Sequence, residues 1–119
     1  MADVHLYEDK DGNSPIYNFI KDLSERTDKH SRINHAKIND YIEVLSEHGK
    51  AAGEPYIKHI EGDIWELRPI RNRIFFASWL GDNFILLHHF TKKSQKTPKR
   101  EVEQAKRNLE DMRKRSEIL

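Results

Sequence analysis

The chain has 119 residues, of which 34% are charged and 36% hydrophobic, with a net charge of +1 and no cysteine. That suits a single small-cored domain over residues 1–119, and it excludes disulfides, thiolate metal sites and a cysteine nucleophile. With no apolar run of about 18 residues and no signal-peptide pattern at Met1-Ala2-Asp3-Val4-His5, the expectation is a cytoplasmic protein with no membrane span. In chain order, residues 4–8 alternate Val4 and Leu6 against His5 and Tyr7, which predicts a short strand. Asp9-Lys10-Asp11-Gly12-Asn13 is a turn cluster. Ser14-Pro15 then supplies an N-cap and a first-turn proline. Ile16, Phe19, Ile20 and Leu23 fall on one helical face. Thr27-Asp28-Lys29-His30 interrupts that helix. A second is predicted from about Ser31 to His48, with Ile38, Tyr41, Ile42 and Leu45 in one stripe and Gly49 at its end. The two helices form a hairpin whose joint apolar face can cover a sheet.

Residues 51–63 read as a loop with one short extended piece at 56–60. Three runs rich in aromatic and β-branched residues follow, at 64–70, 73–80 and 84–93. Arg71-Asn72 and Gly81-Asp82-Asn83 separate them and are short enough for hairpins, so the runs form an antiparallel meander. Thr97-Pro98 starts a last helix, with Val102, Ala105, Leu109 and Met112 along a thin stripe that packs on the body or on a partner. The class is α+β. A small twisted antiparallel sheet, the short N-terminal strand plus the three-stranded meander, is packed by the N-terminal helix hairpin and followed by a C-terminal helix.

Charge is unevenly spread. Residues 1–55 carry 7 Lys/Arg and 11 Asp/Glu, whereas residues 56–119 carry 14 and 9, a local positive field. Side-chain alternation sorts that charge by face. With Ile70 opposite Arg73 and Leu80 opposite Phe84, one face carries Trp65, Leu67, Ile74, Phe76, Leu80, Phe84, Leu86 and Phe90, with Ser78 and His88 as polar exceptions. The other carries Glu66, Arg68, Arg73, Phe75, His89, Thr91 and Lys93. A register shift of one would exchange His88 and His89. Like charges on neighbouring strands repel, so Arg68, Arg73 and Lys93 together suggest an anion between them. The alternative is that Glu66 pairs with Arg68 and the other cations reach into water.

From Lys92 to Arg100 there are five Lys/Arg and no acid, running off a sheet edge into a helix N-terminus. Both features favour phosphate, although a lysine-rich surface turn has the same composition. Trp65 and Trp79 read as core or partner contacts, which leaves Phe75 as the candidate for stacking on a base. No His-Glu-x-x-His or His-x-His spacing, glycine-rich phosphate loop, or glycine elbow around Ser78 or Ser94 occurs. No metal, cofactor or serine nucleophile is therefore expected.

Three stretches carry a resemblance: Ile64-Trp65-Glu66-Leu67-Arg68, Arg73-Ile74-Phe75-Phe76, and Leu86-Leu87-His88-His89-Phe90-Thr91-Lys92-Lys93-Ser94-Gln95-Lys96-Thr97-Pro98. They resemble the RelE/ParE toxin superfamily, most of all its HigB-type, phage-derived branch, and the likeness covers nearly the whole chain. It implies the toxin of a type II toxin–antitoxin system, an endoribonuclease (mRNA interferase) that cuts mRNA on the ribosome. It also implies a HigA-like helix-turn-helix antitoxin, through which the complex would bind operator DNA. The alternative within the superfamily is a ParE-like inhibitor of DNA gyrase without nuclease activity. A non-catalytic interaction module with solvated charges is the third reading.

By position, Arg68, Arg73 and Lys93 match the family's catalytic and phosphate-binding places, and Lys92 and Lys96 match its basic exit. The C-terminal tyrosine of some members has no counterpart, since no tyrosine follows Tyr56. That leaves His88 and His89 as substitutes, His89 on the Arg73 face as a catalytic candidate and His88 as an RNA contact. The implied chemistry needs no metal: the RNA 2′-hydroxyl attacks the adjacent phosphate and leaves a 2′,3′-cyclic end. Arginines clamp the phosphate oxygens, and a histidine or a lysine crowded by cations moves the protons.

Overall fold

The computed structural model describes residues 1–118, with side chains as far as Ser116. In chain order the elements are β1 (Val4–Leu6), α1 (Pro15–Glu25), α2 (Lys29–His48), a 3-10 turn (Gly49–Ala52), β2 (Ile57–Glu61), β3 (Ile64–Leu67), β4 (Asn72–Trp79), β5 (Asn83–Thr91) and α3 (Lys99–Ile118). Local signals set the helix ends. Ser14 Oγ accepts from the Tyr17 N–H at 3.3 Å, with Pro15 in the first turn. Asp28 does the same for α2, its carboxylate accepting from the Ser31 N–H at 2.9 Å, so this helix starts two residues before Ser31. Gly49 closes α2 at a φ of +59°, and a Cβ there would lie 3.5 Å from the Phe84 ring. The left-handed backbone favours glycine, whereas the ring distance is an ordinary contact.

The sheet order is β1-β5-β4-β3-β2. Strands β2 to β5 form an antiparallel meander, and β1 adds parallel to β5 with Val4 opposite Phe84. The sheet is thus mixed and has five strands among the described residues. The fifth is β2, the extended piece in the expected loop, whose Ile57 and His59 pair with Leu67 and Trp65.

Helices cover both faces. The α1/α2 hairpin places Ile16, Ile38 and Leu45 on Leu67, Ile74, Phe76 and Leu86. On the other side, Val102, Ala105 and Leu109 of α3 lie on Ile64, Phe75, Ala77, Ile85 and Leu87. The thin stripe of the last helix is therefore a seam on its own sheet. This overturns Phe75 as a base-stacking surface, because its ring is fully buried beneath α3. Leu80, expected in the core, sits in the β4–β5 turn at a φ of +50° and is 68% exposed.

Register decides the rest. Strand β3 meets β4 with Trp65 opposite Phe76, two residues from the assumed pairing. A shift of two leaves every side chain on its face. Between β4 and β5 the pairing runs from Ser78–Phe84 to Phe76–Leu86 and then jumps to Phe75–His88. Leu87 is the extra residue of a β-bulge, and a bulge reverses the alternation beyond it. His88 and Phe90 consequently lie on the α3 side, while His89 lies under the helix hairpin, the reverse of the expected assignment. The bulge is held from above: the Leu87 carbonyl accepts from Asn108 Nδ2 of α3 at 2.8 Å, and Gln104 steadies Asn108 at 2.9 Å.

Candidate functional site

On the α3 side of the sheet the apolar seam gives way to a polar end. One cross-strand row there runs Glu66, Phe75, His88, and the next pairs Arg73 with Phe90. Arg68 follows β3 on the same alternation. Arg68 Nε and Arg73 Nε lie 3.3 Å and 3.6 Å from a single oxygen, Glu66 Oε1. Glu66 is only 1% exposed. Arg68 also reaches Glu54 at 3.5 Å. Arg73 Nη1 donates to the carbonyls of Ile70 at 2.8 Å and Asn72 at 2.9 Å.

The backbone around Arg73 is built for this. Ile70 has a φ of +60°, rare for a β-branched residue, and such a conformation persists only where surrounding contacts enforce it. The Ile70 carbonyl it presents is one of the two that hold Arg73. Asn72 is buried and donates to Asn34 Oδ1 of α2 at 2.7 Å, tying the start of β4 to the helix hairpin.

Glu66 answers the repulsion between the two arginines, so the anion suggested by their proximity is first of all the chain's own. The expected Glu66–Arg68 pair exists and extends to Arg73. The arrangement is not fully satisfied. Glu66 Oε2, Arg68 Nε and Arg73 Nε are buried and lack a hydrogen-bond partner among the described residues. Burial pushes the Glu66 carboxyl up against the opposing pull of Arg73 and then Arg68. Burial likewise lowers the Arg73 guanidinium, with Glu66 opposing. Both groups bear a desolvation cost, the usual signature of ions held in a dry place. Buried polar atoms without partners are uncommon and mark where a ligand or a proton can be received.

The remaining cations rim this wall. The Lys92 amide donates to the Arg71 carbonyl at 2.8 Å, extending the ladder past β5, and the Lys92 charge acts on Glu66. Lys93 lines an adjacent cleft with Phe90, Ser94, Pro98 and Glu101. Lys96 is exposed on the connection to α3.

The two histidines part company. His88 Nε2 lies 2.7 Å from Glu101 Oε2 in the first turn of α3, both side chains being about four-fifths buried. His89 stacks on Phe19, with ring centroids 4.2 Å apart and 9° between planes. Burial lowers the His89 pKa, and the neighbouring His88 lowers it further. His89 therefore faces away from Arg73 and belongs to the hairpin core, because the bulge turned it there.

The structure thus puts Arg68, Arg73, Lys92 and His88 on one wall, with Lys93 beside it and His89 behind the sheet. Two acids complete the wall: Glu66, which the alternation placed on this face, and Glu101, which sequence reasoning did not assign to it. The Glu66-x-Arg68 spacing was a usable signal for the first. Glu101 had none, since its meeting with His88 depends on how α3 docks.

No curated protein matches the chain. The family described as phage-derived protein Gp49-like (DUF891) matches residues 19–110, more than three quarters of its length and including every residue of this wall. The chain belongs to that Gp49-like family, a RelE-like toxin family common in toxin–antitoxin systems.

Proposed function

We propose that this protein is the toxin of a type II toxin–antitoxin pair and an endoribonuclease acting on ribosome-bound mRNA. The observation that carries the reading is the pair of guanidinium groups, Arg68 and Arg73, gathered on one carboxylate oxygen at the cationic end of the sheet. Arginine presents a rigid fork that suits two phosphate oxygens at once. Lys92 and Lys93 extend the positive field along which an RNA backbone can run.

In this reading the scissile phosphate enters above Arg68 and Arg73, and their charge stabilises the phosphorane formed by 2′-hydroxyl attack. The 2′-proton leaves to a base as the new P–O bond forms. The 5′-oxygen takes a proton as the old bond breaks, giving a 2′,3′-cyclic phosphate and a 5′-hydroxyl. His88, oriented by Glu101, replaces His89 as the imidazole on the clamp wall, and a histidine ring can serve either transfer. Glu66 holds the two arginines together when no phosphate is bound. The expected partner is a HigA-like helix-turn-helix antitoxin, with the complex binding operator DNA through that antitoxin.

The test compares expression of the unmodified chain with Arg73→Ala, scoring growth arrest and mapping mRNA ends. Loss of one clamp cation is expected to lower cleavage on the order of 10²–10³-fold. Equal arrest and equal cleavage by a folded Arg73→Ala protein would refute the nuclease. Intact mRNA with blocked DNA supercoiling would transfer the toxin to the gyrase-inhibiting class.

A further inference from the structure

The cleft beside the clamp has no part in the cleavage step itself, although Glu101, which orients His88, also lines it. It measures about 470 Å³ and opens between the end of β5 and the start of α3. Phe90 and Pro98 give it apolar surface, Ser94 gives it a hydroxyl, Lys93 and Arg100 give it cationic donors, and Thr91 and Glu101 complete its lining. Such a volume lies within the range of small-molecule sites and accommodates one nucleotide. Phe90 is also the cross-strand partner of Arg73, so cleft and clamp are neighbours on one wall. One side of the Phe90 ring packs against Phe75 at 5.3 Å between centroids. Phe90 is only partly buried, so where α3 hides Phe75 the bulge turns a different aromatic to this face.

We propose that this cleft is a nucleobase subsite that receives a base next to the phosphate held by Arg68 and Arg73, with guanine preferred. The proposal rests on the nuclease reading and deepens it. Single-stranded RNA is recognised by stacking splayed bases on aromatic rings and bonding their edges. Phe90 is the aromatic surface at the right place. The cationic donors select among bases, because guanine offers two adjacent acceptors, O6 and N7, to one lysine or arginine. Adenine places a donor next to its N7, and pyrimidines lack N7 altogether. Arg100 is free to turn toward a base: its side chain is 84% exposed, and its Glu101 contact is a loose 3.5 Å. Ser94 Oγ donates to the Lys96 carbonyl at 3.2 Å, which leaves its lone pairs for a base amine.

Two measurements on the full-length chain decide it. The first maps cleavage of ribosome-bound mRNAs with each base on either side of the cut. The unmodified chain is expected to prefer guanine at one flanking position by roughly tenfold. Arg100→Ala should reduce that preference to about twofold or less while still cutting the uracil message. An unmodified chain indifferent to both flanking bases, or an Arg100→Ala variant with undiminished preference, overturns the subsite and leaves the nuclease standing. The second measurement is an NMR titration with guanosine 3′-monophosphate, against ribose 5-phosphate as the base-free probe. Only the nucleotide should shift the amides of Thr91, Ser94 and Arg100. Identical shifts from both probes, or none from either, overturn the subsite. Nucleotide-specific shifts with no RNA cut support the subsite and refute the nuclease.

Discussion

Asn108 is the residue through which α3 holds the bulge, and Asn108→Ala tests that link. Its Nδ2 donates to the Leu87 carbonyl at 2.8 Å, and Asn108 is itself buried. Truncation leaves a buried carbonyl without a donor at the point where β5 changes register. An orphaned buried acceptor costs about 1–3 kcal/mol. At about 2.1 cal/mol/K per residue, unfolding 119 residues carries an entropy near 0.25 kcal/mol/K, so each kcal/mol moves Tm by about 4 °C. The expected drop is therefore about 4–12 °C by circular dichroism. Gln104→Ala removes only the steadying bond to Asn108 and should cost about 1 kcal/mol or less. RNA cleavage should fall with Asn108→Ala below Tm, because a relaxed bulge no longer keeps His88 on the arginine wall. A Tm change within about 1 °C would show that the bulge stands without α3, and the account of His88 placement would fail.

Other outcomes follow from the same contacts. His89 is partly buried against Phe19 with a depressed pKa, so the unfolded chain binds more protons through that window. Its contribution should be complete above pH 6.5 and be lost as pH falls through the depressed folded value. His89→Leu should flatten that decline in urea-unfolding series and leave the site of RNA cleavage unchanged; a shifted cleavage pattern would place His89 in the chemistry after all. Tyr7 donates to Asp111 at 2.7 Å, and burial together with that carboxylate raises its pKa to about 12. The folded state then holds its proton longer, so the stability it confers is present below pH 10 and is lost toward pH 12. Tyr7→Phe should delete the component near pH 12 from a tyrosinate absorbance titration, and persistence of that component would refute the assignment.

Much of this protein is written locally. The Ser14-Pro15 cap, the Ile16–Leu23 and Ile38–Leu45 stripes and the aromatic runs around short turns specify their elements through interactions a few residues long. The two-residue period likewise put Glu66, Arg68 and Arg73 on one face, and a pairing error of two residues left that result intact. The identity of the cationic wall was therefore legible before any coordinates. Tertiary structure decided what the period could not. The bulge at Leu87 is a single-residue event stabilised by Asn108, 21 positions away, and it exchanged His88 with His89 and turned Phe90 to the arginine face, while the docking of α3 buried Phe75. The parallel seating of β1 on β5 joins residues 80 positions apart, and the His88–Glu101 contact awaits the docking of α3. Short-range periodicity fixes which way a side chain points relative to its neighbours. Only packing between distant segments determines where that alternation is interrupted, and here the interruption selects the histidine that shares a wall with the arginines.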